Sequence, residues 1–365
     1  MHLFLYLVLL FAAPPSFEAS MREGLSALQS NDLQLAQQAL ERATKLQPTS
    51  AAAWFLLAQT YAKRSDLKSA LLAARRASEN AGKDPTILYN LAVFYRDAEM
   101  PDQSVAHGLR ALAVEDSADV RSLLGKAYLQ KKAWPDAIAQ LREALRLSPY
   151  SEEAIFSLAQ AQLQSQDFTS AIAVLEDGRK TFDKSPQIEL ALGVAYYGQR
   201  RFPEAVDAFL RVMKLSPDIP QPYYFLGRVL EHGSGRLPEI IDRAMAFERA
   251  SPQSPLGYIL HARALILQLP ATGFPPEATQ ASELLNRALS IKEDQADAHT
   301  LLGQLLEQKK DYASAAVHLE RAIVLIPSDP QSHFRLARVY DRLSRTAEAQ
   351  AQRALHQNLS QQDVK

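Results

Sequence analysis

Residues 51–83 read AAAWFLLAQTYAKRSDLKSALLAARRASENAGK. Trp54, Leu57, Ala58 and Tyr61 fall at helical spacing, and after a break at Ser65-Asp66 so do Leu67, Ala70, Leu71, Ala74 and Ala77. The stretch predicts two short antiparallel helices. Packed helices approach within roughly 8–10 Å only where side chains at the crossing are small, so Ala58 and Ala70 mark crossings and the bulky residues fill the space beside them.

Outward from this stretch the same frame recurs. Leu57-Ala58, Leu91-Ala92, Leu124-Gly125, Leu158-Ala159, Leu192-Gly193, Leu226-Gly227, Leu302-Gly303 and Leu336-Ala337 are separated by steps of 34, 33, 34, 34, 34, 76 and 34 residues. The long step holds one further unit, centred on Ala262. Alanines follow at a fixed distance (Ala36, Ala70, Ala137, Ala171, Ala205, Ala315, Ala349), and prolines close several units, as at Pro48, Pro149, Pro217 and Pro327. A fixed period of this length predicts a stacked array, because a single helix pair cannot bury its apolar face and must lean on its neighbours.

This pattern resembles the tetratricopeptide repeat (TPR) family: aromatic, Leu, Gly/Ala and Tyr on one helix, then Ala, a large apolar residue, Ala and Pro on the next. The second unit carries it as Trp54, Leu57, Ala58, Tyr61, Ala70 and Ala77. Counted in this frame, ten repeats begin near residues 17, 51, 85, 118, 152, 186, 220, 255, 296 and 330. The fold implied is all-α, a right-handed superhelical solenoid of about ten TPR helix-turn-helix repeats. The eighth repeat carries an insertion near residues 268–277, in which Phe274 stands beside Pro275 and Pro276.

Composition agrees with a long seam of core: the chain has 365 residues, 47% of them hydrophobic. Forty basic against 41 acidic residues give a net charge of −1, which supplies no general pull toward nucleic acid or anionic lipid. Without cysteine there is no disulfide, thiol nucleophile or cysteine-based zinc site. The first residues differ in kind. Leu3 to Ala13 is an unbroken apolar run ended by Pro14-Pro15, long enough for the core of a secretory signal and too short to span a bilayer, which takes about 20 residues. Residues 1–19 are therefore expected to be a signal peptide and 20–365 the array, which places the mature protein in the periplasm or outside the cell. No Lys or Arg precedes the run, and the alternative is a cytoplasmic chain with an uncleaved apolar N-terminus. Membrane contact is expected only through that segment.

Chemistry is sparse. The histidines form no HExxH or other metal spacing; His299 and His333 hold the same place in adjacent repeats, without an evident third ligand. The Gly-rich Glu231–Pro238 stretch has neither the spacing nor the preceding strand of a phosphate-binding loop. No Ser-His-Asp frame or nucleophile elbow is visible. No catalytic residue, cofactor or metal is expected, and an enzyme with its site at the eighth-repeat insertion is the distant alternative.

In the proteins it resembles, the first helix of each repeat lines a concave groove through its second, fifth, ninth and twelfth places. Carried over place by place, the resemblance puts there Tyr89, Arg96, Lys126, Phe156, Gln160, Tyr197, Tyr224, Arg228, Arg263, Phe334 and Arg338. Rings and guanidinium groups suit binding, since they offer large contact area at modest entropic cost. The family also includes co-chaperones whose Lys and Asn side chains clamp a partner's terminal carboxylates; at those places this chain has Phe55 and Gln59, with only Asn90 matching. The function implied is a non-catalytic scaffold for protein or peptide partners in an exported setting, with a cytosolic assembly or chaperone-like adaptor as the alternative. Neither nucleic acid nor a small-molecule substrate is expected.

Overall fold

A computed structural model describes residues 16–270 and 273–362. Among them are twenty α-helices, one 3₁₀ segment and no strand. The chain divides into two compact units, Met1–Ser165 and Gln166–Lys365. Unit 1 contains α1 (Phe17–Gln29), α2 (Leu33–Leu46), α3 (Ala51–Lys63), α4 (Leu67–Asn80), α5 (Pro85–Asp97), α6 (Pro101–Leu112), α7 (Ala118–Gln130), α8 (Trp134–Leu147) and α9 (Glu152–Gln164). Unit 2 contains α10 (Phe168–Thr181), α11 (Pro186–Gly198), α12 (Phe202–Leu215), α13 (Gln221–Val229), α14 (Leu237–Ala250), α15 (Pro255–Ile266), α16 (Pro276–Ile291), α17 (Ala296–Gln308), α18 (Tyr312–Leu325), α19 (Pro330–Arg342) and α20 (Thr346–Gln362). Each unit is all-α, its helices following one another in antiparallel pairs. The apolar run Leu3–Ala13 lies outside the described residues, whereas Ser16 already caps α1 by accepting from the Ala19 amide at 3.1 Å. No helix among the described residues is long and apolar enough to cross a membrane.

Helix starts are set locally. Asp32, Asp66, Asp84, Asp167 and Asp311, and Ser50, Ser117, Ser151 and Ser185, each accept an orphan amide of the first turn. The turn between the two helices of a repeat passes through a left-handed residue at the same place eight times: Asn31, Ser65, Glu99 and Lys132 in unit 1, and Gln166, Arg200, Lys310 and Ser344 in unit 2. None of these is glycine, so each accepts a conformation that costs an L-residue roughly 1–2 kcal/mol.

The eighth place of the repeat is small because the residue sixteen positions later fills the space above it. A Cβ on Gly24 would stand 2.7 Å from Leu40 Cγ, one on Gly125 2.7 Å from Leu141 Cδ2, one on Gly193 2.7 Å from Phe209 Cδ1 and one on Gly303 2.8 Å from Leu319 Cδ2. Leu40, Leu141, Phe209 and Leu319 are all fully buried. Gly227, at the same place in the seventh repeat, is the exception: its Cβ would meet only Arg263 Nε, at 3.9 Å.

Successive repeats are also joined by polar ties. The Tyr61 hydroxyl donates to Glu41 at 2.8 Å, Tyr340 donates to Glu320 at 2.8 Å, and Tyr196 and Glu176 form the same link, each carboxylate lying twenty residues before its tyrosine. Burial, together with the bonded carboxylate, pushes the three phenols up to about 12. Arg201 and Arg345 cover the Tyr196 and Tyr340 rings at 4.7 and 4.0 Å.

His299 does not meet His333. It pairs within its own repeat, Nδ1 to Nδ1 of His318 at 2.9 Å, with its Nε2 donating to the Glu293 carbonyl at 3.1 Å. His333 makes the equivalent bond to Gln352 at 2.6 Å, again nineteen residues on. No group of three or more potential metal ligands occurs among the described residues. Burial holds His299 and His318 below the ordinary histidine value of 6.5, and likewise His107, which bonds Ser78 at 2.7 Å. The folded state thus binds fewer protons than the unfolded chain, so this contribution to stability is complete above pH 6.5 and is lost as the pH falls below it. Melting curves between pH 7.5 and 5.5 are expected to show a falling midpoint, and His318→Gln should flatten that fall; an equal slope in both proteins would refute the coupling.

The seventh repeat departs from the frame. Its first helix, α13, has 9 residues and meets α14 through the stacked rings of Tyr223 and Phe247, 4.0 Å apart. The 3₁₀ segment Leu230–Arg236 connects the two and packs on α12, where a Cβ on Gly233 would come within 3.1 Å of Val206 and His232 stacks on Phe202 at 4.3 Å. The glycine at 233 therefore answers a packing constraint. Repeat eight is pinned in a similar way, since Gln308 donates to the carbonyls of Pro270 and Gly273 at 3.1 and 2.8 Å, and the half-buried Phe274 packs against the core of α15 to α17.

Candidate functional site

In unit 1 the cationic groove residues are already neutralised. Arg96 Nε and Nη2 both donate to Asp97, at 3.0 and 2.8 Å, and Lys126 is ion-paired with Glu153. Tyr89 is half-buried, and burial raises its phenol pKa with a further push from Asp119. Phe156 is half-buried and Gln160 exposed. A cleft of about 530 Å³ lies between α3 and α5. Its walls are the rings of Phe55 and Phe94 with the amides of Gln59 and Asn90. The clamp implied by the resemblance has a Lys at the fifth place, where this cleft has the Phe55 ring, and the cation that does line the cleft, Lys63, stands at the thirteenth place.

Unit 2 is arranged differently. Arg228, on α13, donates from Nε to the Tyr197 hydroxyl and from Nη1 to the Tyr224 hydroxyl, both at 3.3 Å, and no carboxylate partners it among the described residues. Its guanidinium also lies over the Tyr224 ring at 5.9 Å. Tyr224 itself is exposed. Tyr197, Arg228 and Arg263 line one cleft of about 680 Å³ whose other wall comes from α17 and α19.

Arg263 reaches Asp297 through Nη2 at 3.2 Å, but its Nε is buried with no protein acceptor. On the far side stands Arg335, whose Nε is also buried without a protein acceptor. One carboxylate, Glu307, serves both Arg335 at 3.8 Å and Arg338 at 3.0 Å. Burial depresses the Arg335 pKa, with Glu307 opposing the shift, as expected for a cation drawn out of water. Phe334 is exposed beneath the Arg338 guanidinium, 5.8 Å from its ring centre, and touches the His356 ring at 5.3 Å. Arg338 lines a neighbouring cleft of about 530 Å³ together with Arg335 and the described insertion residues Leu269, Pro270 and Gly273.

A smaller pocket of about 260 Å³ adjoins the large cleft at Gly227, which lines both. Leu256, Ile259, Leu260, Leu325 and Ile326 give it an apolar wall beside Tyr224, and Arg263, Asp294, Gln295 and Asp297 line it as well. The place-by-place reading passes over Gly227 and Arg335, which occupy the eighth and sixth places of their repeats. A glycine whose sixteenth-following residue is Arg243, rather than Leu or Phe, was the available signal for the first. For Arg335 the signal was its sixth place, the place of Asn90, which the resemblance assigns to ligand contact.

A model for the tetratricopeptide repeat matches residues 21–85, 89–152, 190–255 and 277–333, and a second of the same description matches 128–193. The chain belongs to the tetratricopeptide repeat family, whose fold is a scaffold for protein–protein interaction. Among its relatives, Tetratricopeptide repeat protein 37 of Xenopus laevis is 26% identical over 223 residues, covering 56% of this chain and 14% of that protein. Tetratricopeptide repeat protein 5 of Bos taurus is 27% identical over 198 residues, 52% of this chain and 40% of that one. The chain thus spans less than half the length of either relative. Among solved structures, that of Pseudomonas aeruginosa pilF is 19% identical, with a TM-score of 0.47 over 58% of this chain and 97% of that one.

Proposed function

We propose that the chain is a non-catalytic scaffold that holds extended protein segments on the first-helix face, and that residues 1 to about 19 direct it across a membrane to do so. The observation that carries the first reading is Arg228. Its donors rest on two phenol oxygens rather than a carboxylate, so a guanidinium and the Tyr197 ring face the cleft, with the Tyr224 ring on the adjoining smaller pocket. A bound segment bearing a carboxylate exchanges a weak neutral contact for a charge-assisted one, and the rings of Tyr197 and Tyr224 supply area beside it. In unit 1, by contrast, Arg96 and Lys126 already have their carboxylates, so that face contributes mainly rings and amides.

Export is supported by the apolar run Leu3–Ala13 and its closing prolines. Affinity capture from native cell envelope and from cytosol, read by mass spectrometry, tests both readings. The retained partner is expected from the envelope fraction, and Tyr224→Ala with Arg228→Ala should weaken its binding at least tenfold, about 1.4 kcal/mol, without lowering the melting temperature. Lys68→Ala, on α4, should bind normally. Partners found only in cytosol would overturn export, and a double variant that binds like the parent would overturn the binding face.

A further inference from the structure

The eighth place of a repeat is where a small residue makes room for a neighbour, and in four repeats the glycine there is tightly covered by Leu40, Leu141, Phe209 or Leu319. Gly227 has no such cover: the Cβ it lacks would make only an ordinary contact, 3.9 Å from Arg263 Nε. Helix packing therefore does not require glycine here. In the interior of α13 a glycine costs roughly 1 kcal/mol relative to alanine, so its presence calls for another reason.

That reason lies in what it separates. On one side is the pocket of about 260 Å³ whose apolar wall is built on Leu256, Leu260 and Leu325, with Asp294 and Gln295 also lining it and Arg263 and Asp297 shared with the larger cleft. On the other is the cleft where Arg228 lacks a carboxylate and the buried Nε groups of Arg263 and Arg335 lack acceptors. Three guanidinium groups with unfilled donors ask for an oxygen-rich acceptor, and a carboxylate offers about four lone-pair sites. The acids present supply it only in part: Glu307 stands 3.8 Å from Arg335 and is shared with Arg338. Asp297 is taken by Arg263, and Asp329 caps α19 through the amides of Gln331 and Ser332 at 3.3 and 3.0 Å. Glu231, exposed at the rim, carries the opposite sign and disfavours a second acid on the same ligand.

We infer that Gly227 is a saddle crossed by the backbone of an extended peptide, which places an aliphatic side chain in the small pocket and a single carboxylate, carried by an adjacent residue, among Arg228, Arg263 and Arg335. Successive side chains of an extended strand point to opposite faces and rise about 3.3 Å per residue, so neighbouring residues enter the two compartments while the main chain passes where a side chain on residue 227 would stand. The carboxylate is that of an Asp or Glu side chain or of a chain terminus. This inference rests on the first-helix face being the binding surface, and it adds the ligand's chemistry and a residue that selects for it.

Two bead libraries of random seven-residue peptides, one amidated and one with a free terminal carboxylate, test it against the full chain. Retained sequences should pair an aliphatic residue with an adjacent acid; enrichment in the amidated library assigns the side-chain acid, and enrichment at the free end assigns the terminus. Gly227→Leu should lower retention at least tenfold while keeping or raising the melting temperature, and Arg335→Gln should separately reduce the preference for acid over amide at least threefold. Absence of the pairing from both libraries, or parental retention by Gly227→Leu, overturns the inference. If Gly227→Leu binds the captured partner normally while the Tyr224/Arg228 double variant does not, the face stands and the saddle falls. If both bind normally, both readings fall.

Discussion

Gly193→Leu is expected to melt well below the parent protein, and Gly227→Ala at or above it. The two glycines hold the same place in adjacent repeats, so any account based on sequence position alone would give them the same sign. Gly193 faces Phe209, which is fully buried and stacked on Phe225 at 5.2 Å with the rings nearly parallel, leaving it nowhere to swing. Four additional carbons must displace that ring or move α11 from α12, an overpacking cost of about 1–3 kcal/mol. The gain in helix propensity, about 1 kcal/mol at most, does not offset it. At Gly227 the propensity gain stands alone, because a methyl group meets only ordinary contact. Circular dichroism melts of the two variants decide the matter. Equal shifts would mean that the packing register between the helices of these repeats is misassigned.

The second large effect concerns a carboxylate. Glu189, on α11, is 2% exposed and is held by Arg211 Nε at 3.0 Å and by Arg179 Nη1 at 3.9 Å. Arg211→Ala strands it. Breaking a buried pair at one end costs about 3–5 kcal/mol, whereas an exposed pair is worth about 1 kcal/mol or less. The expected loss falls between these, since Arg179 remains as a weaker partner. Combining Glu189→Met with Arg211→Met should recover most of it, because no unpaired charge is then buried. Urea unfolding of the single and combined variants measures this, and an Arg211→Ala protein as stable as its parent would show that Glu189 is not desolvated.

The repeat class was legible from residues 51–83 and the recurrence of their pattern, because helix period and small-residue spacing are local properties of the chain. What the side chains face across helices was not. The frame shows Gly125 and Leu141 as two ordinary places, and only the stacking of α7 on α8 brings one onto the other. The same holds for charge. Arg96, Lys126 and Arg228 look equivalent in sequence, yet Asp97 and Glu153 occupy the first two while Tyr197 and Tyr224 hold the third. His299 illustrates the limit from the other side, since it holds the same place as His333 in the adjacent repeat while its partner is His318 in its own. Periodicity fixes where a residue sits along its helix; its partner depends on the angle and register at which two helices meet.

The left-handed residue between the helices of eight repeats has a bearing on how such a chain can diversify. At Asn31, Ser65, Glu99 and Lys132, and again at Gln166, Arg200, Lys310 and Ser344, the same backbone bend is made by neutral, acidic and basic side chains alike. The bend is held by bonds from main chain to main chain, such as Asp32 N to the Ala27 carbonyl at 2.8 Å and Arg201 N to the Tyr196 carbonyl at 2.9 Å, and these are indifferent to what the side chain carries. Architecture and surface character are therefore inherited separately at this edge. A lineage can recolour the turns from one charge to another, repeat by repeat, and acquire new neighbours there while the helices underneath keep their old quarrels and alliances unchanged.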